Sequence, residues 1–295
     1  MTLVDDEGTE VTLPADPGRI VSFTPAVTET LFALGEGDSL VGGTDFDDYP
    51  PEAAALPDVA TFEGVLVEKV VDLDPELAIA GGNDFTPPDD VARLRQLGIP
   101  VLVVYAETVD EVIADIELVG EAAGARRAAE ELTTAMEARI EDVRTAAATT
   151  TDRPRVFYEI GDQPEIYGPA DDSFVADMIE LAGGDPITTG DPSAYSISLE
   201  RLVAEDPEVI VLGDANYGVT PDAVAARPGG WREMTAVREG AVRPIDDIIV
   251  TRPGPRFAEG LALLAETIHP ELDLGVRVPP SPSANASASA VPSSP

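Results

Sequence analysis

At 295 residues, with no cysteine and with 56 acidic against 18 basic side chains, the chain carries a formal net charge of -38. These figures exclude disulfides, thiolate metal sites and a cysteine nucleophile, and they set the surface against nucleic acid and anionic membranes. The length allows about two domains with a core each, and 44% hydrophobic residues in periodic runs argue against an acidic disordered chain.

The opening segment, MTLVDDEGTEVTLPADPG, lacks the charged and apolar regions of a signal peptide, and no run of about 20 apolar residues could span a bilayer. The expectation is a cytoplasmic protein or a chain whose leader has been removed. From Arg19 onward, short apolar runs alternate with helical patterns, as in parallel βαβ units. RIVSF (19–23) leads into Thr24-Pro25, a helix cap followed by proline at the first helical position, and that helix stops at Gly35. LVGGT (40–44), LAIA (77–80) and VLVVY (101–105) are the next strands, so a first lobe spans residues 1–106. Residues 107–150 read as helical except around Gly124, and the part from Ala125 to Ala147 would form a strut about 33 Å long. The second lobe, 151–276, repeats the plan with RVFYEI (155–160), VIVL (209–212) and AVRPI (241–245). Residues 277–295 are a Ser/Pro/Ala-rich tail that cannot form a core, and the acceptor pattern Asn285-Ala286-Ser287 within it is short enough to arise by chance.

One sentence of the chain is written twice. VEKVVDLDPELAIAG (67–81) returns 132 positions later as LERLVAEDPEVIVLG (199–213), with six of fifteen positions identical, among them Glu68/Glu200, Asp74/Asp206 and Glu76/Glu208. In each copy the glutamate opens a short helix, Asp-Pro ends it, and the apolar run is a buried parallel strand. The helix dipole alone favours an acid in a first turn, by about 0.3–1 kcal/mol. The echo continues into the loops. Phe85 and Tyr217 each lie 17 residues after their glutamate, and each precedes a Thr-Pro helix start, Thr86-Pro87 and Thr220-Pro221. Phe46, Tyr49, Phe62, Tyr167 and Tyr195 fall in comparable loops. In open parallel sheets such loops form the ligand crevice, and aromatics gathered there suit a large, partly apolar ligand.

RIVSFTPAVTETLFALG, DDYPPEA, the two doubled segments and RPGPRFAEGLALLAETIHPE, in that order, resemble the cobalamin- and siderophore-type periplasmic binding proteins of ABC importers, over residues 3–274. The resemblance implies an α/β fold of two βαβ lobes with parallel sheets joined by one long helix, with the ligand cleft between the lobes. It also implies an extracytoplasmic, tethered monomer that delivers its ligand to a permease dimer, docking through Glu68 and Glu200 at the lobe tips. In the cobalamin branch aromatics hold the corrin, and Tyr49 and Phe62 stand at matching positions, which implies a corrinoid as the transported ligand, with no resident cofactor or metal; the loop aromatics Phe85, Tyr167, Tyr195 and Tyr217 join them as candidate ligand contacts. A ferric siderophore or haem is the alternative, and an anionic chelate would call on arginines such as Arg252 or Arg256. Acid excess with Lys69 as the only lysine is the composition expected of a protein in molar salt, where a Debye length of about 3 Å screens self-repulsion.

Enzymatic readings find little to build on. Among 56 acids any two are uninformative, the one histidine, His269, reads as structural, and neither a GxSxG turn nor a Gly-rich phosphate loop is present. A surface adhesion module would give no reason for the doubled glutamate.

Overall fold

A β-hairpin absent from the sequence reading precedes the first predicted strand. In it β1 (Thr2–Val4) pairs antiparallel with β2 (Glu10–Thr12), and Leu3 and Val11 face each other as the two buried residues. At three residues each, these strands are too short to show a period-2 pattern. The computed structural model describes residues 1–82 and 86–276, and the chain divides into two units, residues 1–137 with 253–255 and residues 138–252 with 256 onward.

In the first unit β3 (Ile20–Ser22) leads into α1 (Pro25–Ala33), capped by the Thr24 hydroxyl with Pro25 in the first turn. There follow β4 (Leu40–Thr44), β5 (Asp58–Thr61), β6 (Gly64–Val65), α2 (Val67–Asp72), β7 (Leu77–Gly81), α3 (Pro88–Gln96), β8 (Val101–Val104) and α4 (Val109–Ala122). The sheet order is β6-β5-β4-β3-β7-β8, parallel except for the β5–β6 pair. Strand alternation splits the core into two layers. Ile20, Leu77, Ile79, Leu102 and Val104 face one layer with Val27, Leu31 and Val119, while Val21, Ala78, Ala80, Val101 and Val103 face the other with Val67, Val70, Val91 and Leu94. The helix expected from Thr86-Pro87 begins one residue later, at Pro88. A residue before proline is kept out of the helical region, so Pro87 stays extended at ψ 129 and the Thr86 hydroxyl is buried without a partner among the described residues.

The long helix α5 (Arg126–Ala147) matches its prediction to within a residue, and its residues belong to the first unit up to Glu137 and to the second from Ala138. The second unit runs through β9 (Arg155–Glu159), β10 (Ile166–Tyr167), α6 (Phe174–Leu181), β11 (Asp185–Pro186), β12 (Ser196–Ile197), α7 (Leu199–Glu205), β13 (Val209–Leu212), α8 (Pro221–Ala226), α9 (Thr235–Arg238), β14 (Val242–Pro244), α10 (Ile248–Thr251) and α11 (Phe257–Ile268). Its main sheet has the order β11-β9-β13-β14, all parallel. Numbered by appearance, both sheets contain the series 2-1-3-4: β4-β3-β7-β8 in the first and β11-β9-β13-β14 in the second. The duplication read in fifteen residues is therefore a duplication of topology.

Each doubled segment is held by the same clamp. The segment's Asp, Asp74 at φ 46 and Asp206 at φ 48, turns left-handed and ends its helix, a conformation that Asp tolerates better than most residues. Arg19, immediately before β3, and Arg155, the first residue of β9, then reach over that turn. Arg19 Nε donates to the Leu73 and Asp74 carbonyls, both at 3.1 Å. Arg155 Nε donates to the Glu205 and Asp206 carbonyls at 3.0 and 3.2 Å. The motif glutamate returns the contact: Glu76 Oε2 accepts from Gly18 N at 2.7 Å, and Glu208 Oε2 from Arg155 N at 3.0 Å. Orphaned helix carbonyls are thereby satisfied. Replacing Arg19 or Arg155 with Met is expected to cost about 1 kcal/mol of unfolding free energy each, measured by urea denaturation in molar salt; no loss for either variant would show the clamp to be decorative.

Candidate functional site

The order 2-1-3-4 places a topological switch point between β3 and β7 in the first unit and between β9 and β13 in the second. Crevices at such points, beyond the carboxyl ends of the strands, are where open α/β sheets take ligands.

On the first unit's rim, the turn after β4 is pinned by the buried carboxylate of Asp47. It accepts from Thr44 N at 2.8 Å, Thr44 Oγ1 at 2.9 Å and Thr28 Oγ1 at 2.9 Å. Phe46 stands half exposed beside it, and Tyr49 follows, partly buried. Phe62 comes directly after β5, at the turn into β6, with 92% of its surface open. An aromatic left this bare has no packing role in the unit. Phe85 lies outside the described residues.

The second unit brings two predicted tyrosines together: Tyr167 of β10 pairs with Ser196 of β12, and Tyr195, just before β12, has a carbonyl that accepts from Gly168 N at 2.8 Å. These two-residue strands were not read from the sequence, because they lack the length to show alternation. Tyr217 ends a 3-10 turn that continues β13 and is 77% exposed. Its neighbour Asn216 fixes that turn to the loop after β14, donating to Asp246 Oδ1 at 3.2 Å and Asp247 Oδ1 at 3.0 Å. Arg252 lies close enough to Asp247 to favour its ionised form, yet burial, with the charge of Asp246, still pushes Asp247 up to about 6.

Beneath this rim is a network that sequence reasoning missed. Glu159, the last residue of β9 and fully buried, receives both ends of the Arg227 guanidinium, at 2.6 and 2.9 Å. Arg227 also reaches Asp162 at 2.9 Å and lies 4.5 Å from the Trp231 ring centre. A bidentate pair in a dry setting is the geometry that makes such a contact count. Asp214, in the turn that carries Tyr217, is pushed up to about 7 by burial and then by the negative charge of Glu159. The Tyr158 phenol is raised by burial and by Asp247, Asp246 and Asp214, and its hydroxyl has no partner among the described residues. Gly213 is required here, since a Cβ would fall 2.5 Å from the Tyr158 ring. Glu159 is the fifth letter of the predicted run RVFYEI, and a charged residue between Tyr158 and Ile160 was the available signal.

The two glutamates are placed alike. Glu68 and Glu200 are each the second residue of their helix, both are exposed, and neither side chain forms a hydrogen bond or ion pair among the described residues. The other charged identities of the doubled segment work in the clamp; this pair does nothing within its own unit. Among the described residues no group of three or more His, Asp or Glu is arranged to hold a metal ion, and no helix is long and apolar enough to cross a membrane.

Residues 20–248 match the family profile described as periplasmic binding protein. The chain is 35% identical over 275 residues to an uncharacterised ABC transporter substrate-binding lipoprotein of Bacillus subtilis, covering 92% of this chain and 86% of the relative. It is 32% identical over 278 residues to a cobalamin-binding protein of Halobacterium salinarum, covering 91% and 74%. The solved structure of a periplasmic heme-binding protein from Roseiflexus superposes with a TM-score of 0.75 at 26% identity, covering 87% of this chain and 99% of that one. The chain belongs to the periplasmic binding protein family and is a substrate-binding protein of an ABC importer.

Proposed function

We propose that the protein captures a corrinoid outside the cell and presents it to an ABC permease. The observation that carries this reading is the exposure of single aromatics at strand ends in both units, Phe62 at 92% and Tyr217 at 77%, in a chain with only 15 aromatics. Such rings offer flat apolar platforms to a macrocycle. The chemistry of the second rim points the same way. Glu159, Asp162, Asp214, Asp246 and Asp247 gather there around Arg227 and Arg252, and each arginine is engaged with a carboxylate. A rim of that sign disfavours anionic ferric chelates and haem propionates, and it accepts hydrogen bonds from the amide groups of a corrinoid. Similarity to a cobalamin-binding relative over 91% of this chain supports the choice. Haem is the second reading, because a heme-binding structure shares the fold at 26% identity. Its ring would use the same aromatics, so the charge of the rim is what separates the two.

The extracytoplasmic site of action is supported by the lipoprotein relative, and docking by the unpartnered Glu68 and Glu200, one on each unit. In molar salt an exposed acid attracts little at a distance, so docking would depend on short hydrogen-bonded pairs with cations of the permease.

Alanine at Phe62 and Tyr217 together is expected to weaken cobalamin binding by about tenfold or more, since aromatic contacts add about 0.5–1.5 kcal/mol each beyond their buried area. Calorimetry in molar salt, with haemin and a ferric chelate as competitors, tests this: unchanged cobalamin affinity removes the platform assignment, and tighter haemin binding selects the second reading. Lysine at Glu68 and Glu200 should leave ligand affinity intact while uptake falls. Unaltered uptake by that variant would dismiss the docking role.

A further inference from the structure

The doubled segment carries a second oddity, one place after each glutamate. Lys69 is the only lysine of the chain, and its counterpart is Arg201. Both stand in the first turn of a helix, where the dipole works against a cation, in a chain where acids outnumber bases three to one. The helix dipole therefore gives no reason for either.

Their contacts do. Lys69 Nζ donates to the carbonyl of Asp58, the first residue of β5, at 3.2 Å. Arg201 Nη1 donates to the carbonyl of Thr189, in the segment leaving β11. Its guanidinium fills the space a side chain would need at Gly190, where a Cβ would lie 2.2 Å from Nη1 and φ is +79. Each cation thus fastens the opening turn of its helix to main chain on the β4 or β11 side of the sheet, where the clamp of Arg19 or Arg155 fastens the other end. Successive helix residues do not face each other, and neither cation bonds the glutamate it follows. Arg201 does meet Glu205, one turn on, at 3.8 Å.

We propose that Lys69 and Arg201 are positioning residues for permease docking. They hold the first turns of α2 and α7 in place through backbone carbonyls and without pairing with Glu68 or Glu200, so that these two acids stay unpaired for cationic pockets on the partner. This rests on the docking reading above. It adds that a cation in the binding protein, next to the acid, is required for that acid to engage.

The test is transport by the permease reconstituted in liposomes, with ligand-loaded binding protein as the varied component. Lys69→Met with Arg201→Met keeps the apolar stems and removes the tethers. The expected result is a KM for binding protein raised about tenfold, the scale of losing charge-assisted contacts, with maximal rate and ligand affinity unchanged and the melting temperature lowered by only about 2–4 °C. Lys69→Arg with wild-type Arg201 should transport within about twofold of wild type, since it keeps the donor. An unchanged KM for the double Met variant overturns the proposal. A rise in KM accompanied by equal losses in ligand affinity and melting temperature also overturns it, by showing a role in folding alone. The Lys substitutions at Glu68 and Glu200, run alongside, separate the two levels: if they abolish transport while the Met pair does not alter KM, docking stands and only the positioning role falls.

Discussion

Two arginines decide where the functional parts of this molecule stand. Arg19, immediately before β3, and Arg155, at the start of β9, close over the left-handed aspartate that ends the doubled helix. The clamp joins the start of the central strand to the end of the helix and the start of the next strand, more than fifty residues on, through the arginine and the returned contact of Glu76 or Glu208. With those points joined, β3 and β7, or β9 and β13, lie side by side in register, and their carboxyl ends open at the switch point. The aromatics at one end and the glutamates on the helices inherit their positions from it.

Acidity has two separate consequences. Over most of the surface it is a diffuse charge that molar salt would screen. At the second unit's rim it is local and partly buried, and there screening is weak. Asp214 and Asp247 retain protons to about 7 and about 6 because burial and neighbouring acids penalise their charged forms. Arg227 offsets part of that repulsion by binding Glu159 and Asp162 at once, stacked on Trp231. The turn bearing Tyr217 is therefore supported from below by a paired charge network and from the side by Asn216.

Elements long enough to show a period were legible in the sequence. LVGGT and VIVL are β4 and β13 at their predicted bounds, α5 starts one residue after its prediction, and the Thr24-Pro25 cap forms as read. The first hairpin, β6 and the β10–β12 pair were not read, since two or three residues per strand carry no period, and DVAT of β5 was not read because it is not a continuous apolar run. Thr86 failed as a cap and Thr220 succeeded for one reason: Pro87 is followed by a second proline, which moves the helix start onward, whereas Pro221 is followed by Asp222. The arginines of the clamp were visible as the first letters of RIVSF and RVFYEI, but only their carbonyl partners give them meaning.

The sequence by itself determined the class of fold, the duplication and the family, because apolar period, turn residues and a repeated phrase are properties of order along the chain. It also singled out the loops that carry exposed aromatics. Tertiary structure decided which of the repeated residues are mechanical. Glu76 and Glu208 accept from backbone N–H groups more than fifty residues away, and Asp74 and Asp206 make the left-handed turns whose carbonyls take the arginines, whereas Glu68 and Glu200 remain open to solvent with nothing of their own unit to bind. Identity in a repeat records that a residue is needed in both copies. Only its neighbours in space show whether the need is satisfied inside the molecule or outside it.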